Sequence, residues 1–348
     1  MELNQSYCLV NKLSMKEREI LSYVAKGMPQ LTKVCEVTMG VSRQTINKYI
    51  NNLIDLGYVE AEGNTSARTY TLGRNRAHFE KFDMDPNNKL DEHIIWEEFE
   101  HVFEDLPKNV YDICFYGFTE MVNNAIDHSD APILNVCASI HNDEVDIMVH
   151  DTGEGIFKRI ARLKNLGSEK ESILELSKGK LTTDPDNHTG EGIYFTSRVF
   201  DHFYIYSSGH IFNHDRDNVH DFLLEHNNQV EGTIVEMQIS ANSKTSQQQV
   251  FDEYAPADEF SFSKTVVPIR LAIQGKENLV SRSQAKRVLS SLDKFKIVML
   301  DFSEVETIGQ AFADEIFRVF AKKHPDITIH ATNTNEEIER WIKRAKNS

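Results

Sequence analysis

The stretches HDTGEGIF (150–157) and NHTGEGIYF (187–195) share the five residues Thr-Gly-Glu-Gly-Ile. They are either two copies of one repeated unit or two loops with different tasks around one ligand, and the reading of the chain's centre depends on which. Their surroundings differ. The first stretch ends an apolar run, VDIMVHD, which follows ILNVCASI; with Asn142-Asp143 between them these runs predict a β-hairpin. The second opens YFTSRVFDHF, which has a helical pattern and is followed by the predicted strands FYIYSS and, later, TIVEMQIS.

Different flanks suit different tasks. Asp151 ends a strand directly before Gly153 and Gly155. A carboxylate there can accept a hydrogen bond from an amino group such as N6 of adenine, and glycines let the backbone approach a flat ring. Gly190 and Gly192 open a helix, where backbone N–H groups cradle phosphate. Neither run is followed by the GK[ST] of a Walker A loop. Upstream, FTEMVNNAIDHS (118–129) puts Glu120 and Asn124 four residues apart on one helix face. The amide oxygen is a hard ligand suited to Mg²⁺, and the carboxylate can orient or deprotonate a nucleophile.

These boxes resemble those of the GHKL ATPase superfamily, which includes gyrase B subunits, heat-shock 90 chaperones, histidine kinases and MutL. Glu120-x-x-x-Asn124-Ala125, Asp151-x-Gly153-x-Gly155, Gly190-x-Gly192 and Gly232-Thr233 stand in the family's order over about residues 93–240. The resemblance implies a Bergerat-type α/β sandwich that takes ATP and Mg²⁺. In its terms Asn124 holds Mg²⁺, Asp151 binds adenine, Thr233 supports adenine through water and Glu120 is the general base. The two TGEGI copies then serve opposite ends of one nucleotide. The stretch between them becomes a polar lid with Lys178 and Lys180 available to phosphates, and it orders on binding. His188 is a candidate phosphate contact, and His128 is expected to pack near the helix. His210, His214 and His220 are spaced too loosely for a metal site and predict a hairpin or solvated loop. Neither His93 nor His101 has the surroundings of a histidine-kinase phosphoacceptor, so the compact centre looks more like the anti-sigma-factor serine kinases.

The flanks extend the reading. Ser14 and Glu17 have capping-box spacing, and SMKEREILSYVAKG, LTKVCEVTMG and SRQTINKYINNLIDLGY predict three helices. A hairpin turning at Gly63-Asn64 follows, which together predicts a winged helix-turn-helix. Arg43, Gln44, Thr45, Asn47 and Lys48 on the exposed face of the third helix suit a major groove, and Arg68 suits a phosphate. A helical module for protein contacts is the other reading. Residues 1–76 hold ten Lys/Arg against seven Asp/Glu, or +3, within a chain of net charge −16, so the rest carries −19. Any nucleic-acid contact is therefore expected at the N-terminus. Beyond residue 262 strands and helices alternate: TVVPIRLA, SRSQAKRVLSSL, KIVMLDF, GQAFADEIFRVFAKKH, ITIHA and NEEIERWIKRAK. This predicts a small α/β layer fold. It is similar to the STAS-like (DUF4325-type) domains fused to such ATPases. Gly309 and Gln310 stand where STAS switch proteins carry an Asp-Ser phosphoacceptor, so that switch does not transfer.

The expectation is a multidomain α/β (α+β) chain. It has a winged helix-turn-helix at 1–76, a linker at 77–92, a GHKL ATP-binding domain at 93–240, a linker at 241–262 and a STAS-like domain at 263–348. It is read as an ATP- and Mg²⁺-dependent ATPase or kinase that couples nucleotide state to DNA or a regulatory protein partner. The alternatives are a nucleotide-sensing transcription regulator without significant catalysis and a serine/threonine kinase acting on a separate partner. A homodimer fits paired half-sites. No run of 18 apolar residues supports a membrane span. The start MELNQSYCLVNK lacks signal-peptide features, and four scattered cysteines predict reduced thiols. A cytoplasmic location is therefore expected.

Overall fold

The structure is a computed structural model that describes residues 13–64, 68–85, 90–181, 190–216, 220–225, 230–255, 262–273 and 277–347. The chain forms two compact units, Met1–Gly153 with Ile234–Lys244, and Glu154–Thr233 with Thr245–Ser348. Both mix helices with sheet.

The first unit opens with helices α1 (Met15–Ala25), α2 (Leu31–Met39) and α3 (Arg43–Asp55) and the antiparallel pair β1 (Val59–Glu62) and β2 (Thr69–Leu72). The capping box forms: the Ser14 hydroxyl accepts from Glu17 N–H, and the Glu17 carboxylate accepts from Ser14 N–H at 2.8 Å. Asn52 donates to the same carboxylate at 2.7 Å and so ties α3 to α1. Ile20, Val24, Leu31, Cys35, Ile46, Ile50 and Leu53 are buried among these helices.

Strand β3 (Arg76–Asp83) follows, and it corrects the expected linker at 77–92. It pairs antiparallel with β4 (Ile133–His141) along its whole length. As the edge of its sheet it needs no apolar outer row. Only Ala77 is buried, which is why the segment looks irregular in sequence. Helices α4 (Glu92–Phe103) and α5 (Lys108–His128) supply an aromatic core in which Trp96 stacks on Phe103 at 4.9 Å and meets Phe118 edge-on at 5.1 Å. The predicted hairpin is β4 with β5 (Glu144–Asp151), joined by Asn142 and Asp143 at φ 50° and 63°. Both residues lie in the left-handed region that a two-residue hairpin turn requires.

The second unit runs through α6 (Ile156–Lys164), α7 (Glu169–Ser177), α8 (Gly192–Val199) and strands β6 (His202–Ser207), β7 (His210–Asp215) and β8 (His220–Glu225), which pair in that order. His210 and His214 thus belong to a strand rather than a solvated loop, and His214 is buried. Strand β9 (Thr233–Ser240) returns to the first unit, where the order is β3-β4-β5-β9 and Gln238 donates to Asp146 at 2.7 Å. Helix α9 (Gln247–Tyr254), capped by Ser246 and Gln249, occupies part of the expected linker at 241–262.

The chain ends with β10 (Lys264–Pro268), α10 (Arg282–Leu289), β11 (Ile297–Asp301), α11 (Gln310–Asp314), a π-helical stretch Glu315–Phe320, α12 (Ala321–Lys323), β12 (Thr328–Thr332) and α13 (Glu336–Lys346). The three strands are parallel in the order β10-β11-β12, the arrangement that intervening helices impose. Val267, Val298 and Leu300 on the strands and Val288, Phe312 and Ile338 on the helices are all buried.

Cys35 and Cys114 are free and buried. Cys8 lies outside the described residues. Among the described residues no helix is long and apolar enough to cross a membrane.

Candidate functional site

In the first unit, α5 and the end of β5 carry the central motifs. Glu120 and Asn124 are both half-buried on α5. The Asn124 Nδ2 is shielded from solvent and has no hydrogen-bond partner among the described residues. Helix α5 ends at Ser129, whose hydroxyl donates to the Ala125 carbonyl at 2.6 Å and accepts from Ala131 N–H at 3.1 Å. Gly153 lies against this cap. A Cβ there would stand 2.2 Å from the Ser129 carbonyl oxygen. Asp151 is buried, pairs with Leu134 across the sheet and accepts the Gly153 N–H at 2.9 Å. The helix end bearing Asn124 and the strand end bearing Asp151 are therefore held together through a contact only glycine allows.

In the second unit, Gly155 has φ 91°, and a Cβ on it would meet the Ser207 Oγ at 2.5 Å. The next residue, Ile156, starts α6 and donates its N–H to Thr233 Oγ1 at 2.9 Å. Buried Thr233 thus satisfies one of the orphan N–H groups at a helix start. Gly190 precedes α8, which opens at Gly192 with no side-chain cap on its N–H groups. Thr189 and His188 lie outside the described residues.

Among its described residues the stretch between the glycine loops forms α6 and α7. The two lysines expected to reach phosphates, Lys178 and Lys180, are engaged within the fold. Lys178 is fully buried and pairs with Glu175 at 2.6 Å. It also donates to the carbonyls of Arg287 and Ser290 at 3.0 and 2.9 Å, at the end of α10. Ser291 completes the cluster by donating to Glu175 at 2.9 Å. Burial pushes the Lys178 ammonium below its ordinary range and Glu175 pulls it back up. Lys180 lies over the Phe262 and Phe295 rings at 5.5 and 5.3 Å, and its ammonium donates to the Lys294 carbonyl at 3.4 Å. Burial lowers the Lys180 pKa, while Glu191 acts to raise it. The pairing of Lys178 was not readable from sequence beyond its spacing from Glu175, because its other partners lie more than a hundred residues away.

On the N-terminal helices Arg43, Gln44, Asn47 and Lys48 are exposed along α3. Thr45 is half-buried and hydrogen-bonded to the capping Ser42 at 3.0 Å. Arg68 is exposed beside the Tyr70 ring. In the C-terminal region, buried Asp301 accepts from Ser303 and from Asn333 at 2.8 Å each, and Thr307 donates to Glu337 at 2.7 Å. The two hydroxyls nearest the start of α11 are therefore engaged.

No curated protein matches the chain. One family, described as a STAS-like domain of unknown function (DUF4325), matches residues 284–339. The match runs from α10 into α13, so the chain carries a C-terminal STAS-like domain within a mixed α/β architecture.

Proposed function

We propose that the chain is an ATP- and Mg²⁺-binding regulator of the GHKL type, with a Bergerat-type centre and an N-terminal winged helix-turn-helix that reads DNA. The observation that carries the reading is the position of Asn124, half-buried and one helical turn from Glu120, on a helix whose cap is locked to the Asp151–Gly153 loop. The unpaired Asn124 Nδ2 is a donor, so a phosphate oxygen would satisfy it and remove the cost of leaving it buried, while the amide oxygen is the atom that would meet Mg²⁺. In this reading Asn124 is the Mg²⁺ ligand and Asp151 takes the adenine amino group. The N–H groups at Gly190 and Gly192 receive phosphates. The metal would supply charge neutralisation on the phosphates. Glu120 would orient the attacking water or protein hydroxyl and accept its proton.

The test follows nucleotide binding, free phosphate and protein-bound label together, using γ-labelled ATP with Mg²⁺. Asn124→Ala is expected to weaken Mg²⁺-dependent binding at least tenfold. Glu120→Ala is expected to keep binding and to lose turnover by about 10²–10⁴, the usual weight of a general base. Binding without turnover in the wild type would leave a nucleotide sensor. Transfer only after a partner is added would mark a kinase of that partner. Absence of ATP binding, or binding unchanged in Asn124→Ala, defeats the proposal.

A further inference from the structure

An imidazole and two carboxylates converge away from the glycine loops, on β3 and α4. His78 and Glu80 are two residues apart on β3, so they leave the strand on one face. Glu98 reaches the same place from α4, which packs on β3. Ligand atoms of the three residues all lie within 4.8 Å of one another. His78 Nε2 is buried and has no hydrogen-bond partner among the described residues. The ring is held edge-on by Phe99 and His101, with centroids 4.5 and 5.1 Å away. Burial, then the neighbouring His101 and Lys26, push the His78 pKa to about 4, so the ring is neutral at pH 7 and keeps a lone pair to give. Burial and then Glu80 push the Glu98 carboxyl up, while Lys26 partly offsets them. Two carboxylates facing each other repel, and a cation between them relieves that repulsion.

We propose that His78, Glu80 and Glu98 form a site for one divalent transition-metal ion, of the class zinc and cobalt(II) represent. One nitrogen and two oxygen donors suit that class better than an all-oxygen cation such as Ca²⁺. With metal–donor bonds of about 2.0–2.2 Å the donors must close to within roughly 3.5 Å of one another. Glu98 is exposed, so a rotamer change brings it in. Water completes the shell. The residue between the two strand ligands, Phe79, lies under the Arg18 guanidinium of α1 at 5.1 Å. Occupancy therefore braces the strand on which the N-terminal helices rest.

The test uses the full chain, stripped with chelator and without nucleotide, so its outcome is independent of the ATP reading. Zinc binding is measured by equilibrium dialysis, and cobalt(II) by its visible spectrum. One equivalent is expected. Glu98→Gln should weaken binding at least tenfold, and His78→Gln should abolish it. Glu62→Gln, an exposed carboxylate on β1, should leave it unchanged. Glu98→Gln touches an exposed side chain, so the test stands even where the buried His78 variant fails to fold. Zinc affinity unchanged in Glu98→Gln, or no ion retained at about 0.1 mM free zinc, overturns the proposal.

Discussion

At the residue scale, Asp146 gives the sharpest pH signature. Burial first, then the nearby Glu144, push its carboxyl from 3.8 to about 6, while the hydrogen bond from Gln238 holds it down. The folded pKa lies above the unfolded one, so the folded state binds this proton more tightly. The resulting stability is fully present below about pH 4 and is lost as the pH rises through about 6. The shift corresponds to at most about 3 kcal/mol. Asn in its place keeps an acceptor for Gln238 and carries no charge. We expect Asp146→Asn to match wild type near pH 4 and to exceed it by about 1–3 kcal/mol at pH 8, measured by urea unfolding across that range. A difference that stays flat with pH would remove Asp146 as the cause. None of this is legible in VDIMVHD as a string, because the alternation says which face a residue takes and not whether the opposite strand offers an amide.

At the scale of elements, what was readable had local causes. The Ser14–Glu17 box and the Asn142-Asp143 turn each specify their geometry within four residues, and both form. Strand β3 was missed because His78, Glu80 and Phe82 mix polar and apolar groups on one face, and an edge strand tolerates that. Helix α9 was passed over as Gln-rich linker, although Ser246–Gln249 has capping-box spacing and Val250 and Tyr254 are buried four apart. Lys178 marks the limit of local reading. Its ion pair with Glu175 follows from i, i+3 spacing, but its burial is set by α10 and Ser291. A buried pair is costly to break from one side. We expect Lys178→Met alone to cost about 3–5 kcal/mol, since it leaves the Glu175 charge and the Arg287 and Ser290 carbonyls unpaired. The double variant with Glu175→Leu should recover part of that loss. Chemical denaturation of the three variants checks this. If the double variant falls by the sum of the singles, the cluster is not a coupled unit.

At the scale of the whole molecule, the uneven charge decides where nucleic acid can bind. Residues 1–76 carry +3 while the remainder carries −19, so net charge favours a duplex at the N-terminal segment over the rest of the chain. There α3 exposes Arg43, Gln44, Asn47 and Lys48, and Arg68 stands exposed on the strand side. The proposed reader thus has few phosphate contacts, and its affinity for a mixed-sequence duplex should fall with salt by about one power of salt concentration per neutralised phosphate. Arg43→Ala and Lys48→Ala should each weaken binding about tenfold, and a residue that contacts only phosphate should lower the salt slope by about one. Gln44→Ala and Asn47→Ala should act on sequence preference and leave the slope unchanged, because amides read base edges and neutralise nothing. Fluorescence anisotropy of labelled duplexes across a salt series, with and without Mg²⁺ and ATP, separates these effects. If affinity at low salt is absent, or indifferent to the Arg43 and Lys48 substitutions, the exposed face of α3 serves a protein partner. The +3 of the N-terminal segment would then reflect an acidic partner surface in place of a phosphate backbone.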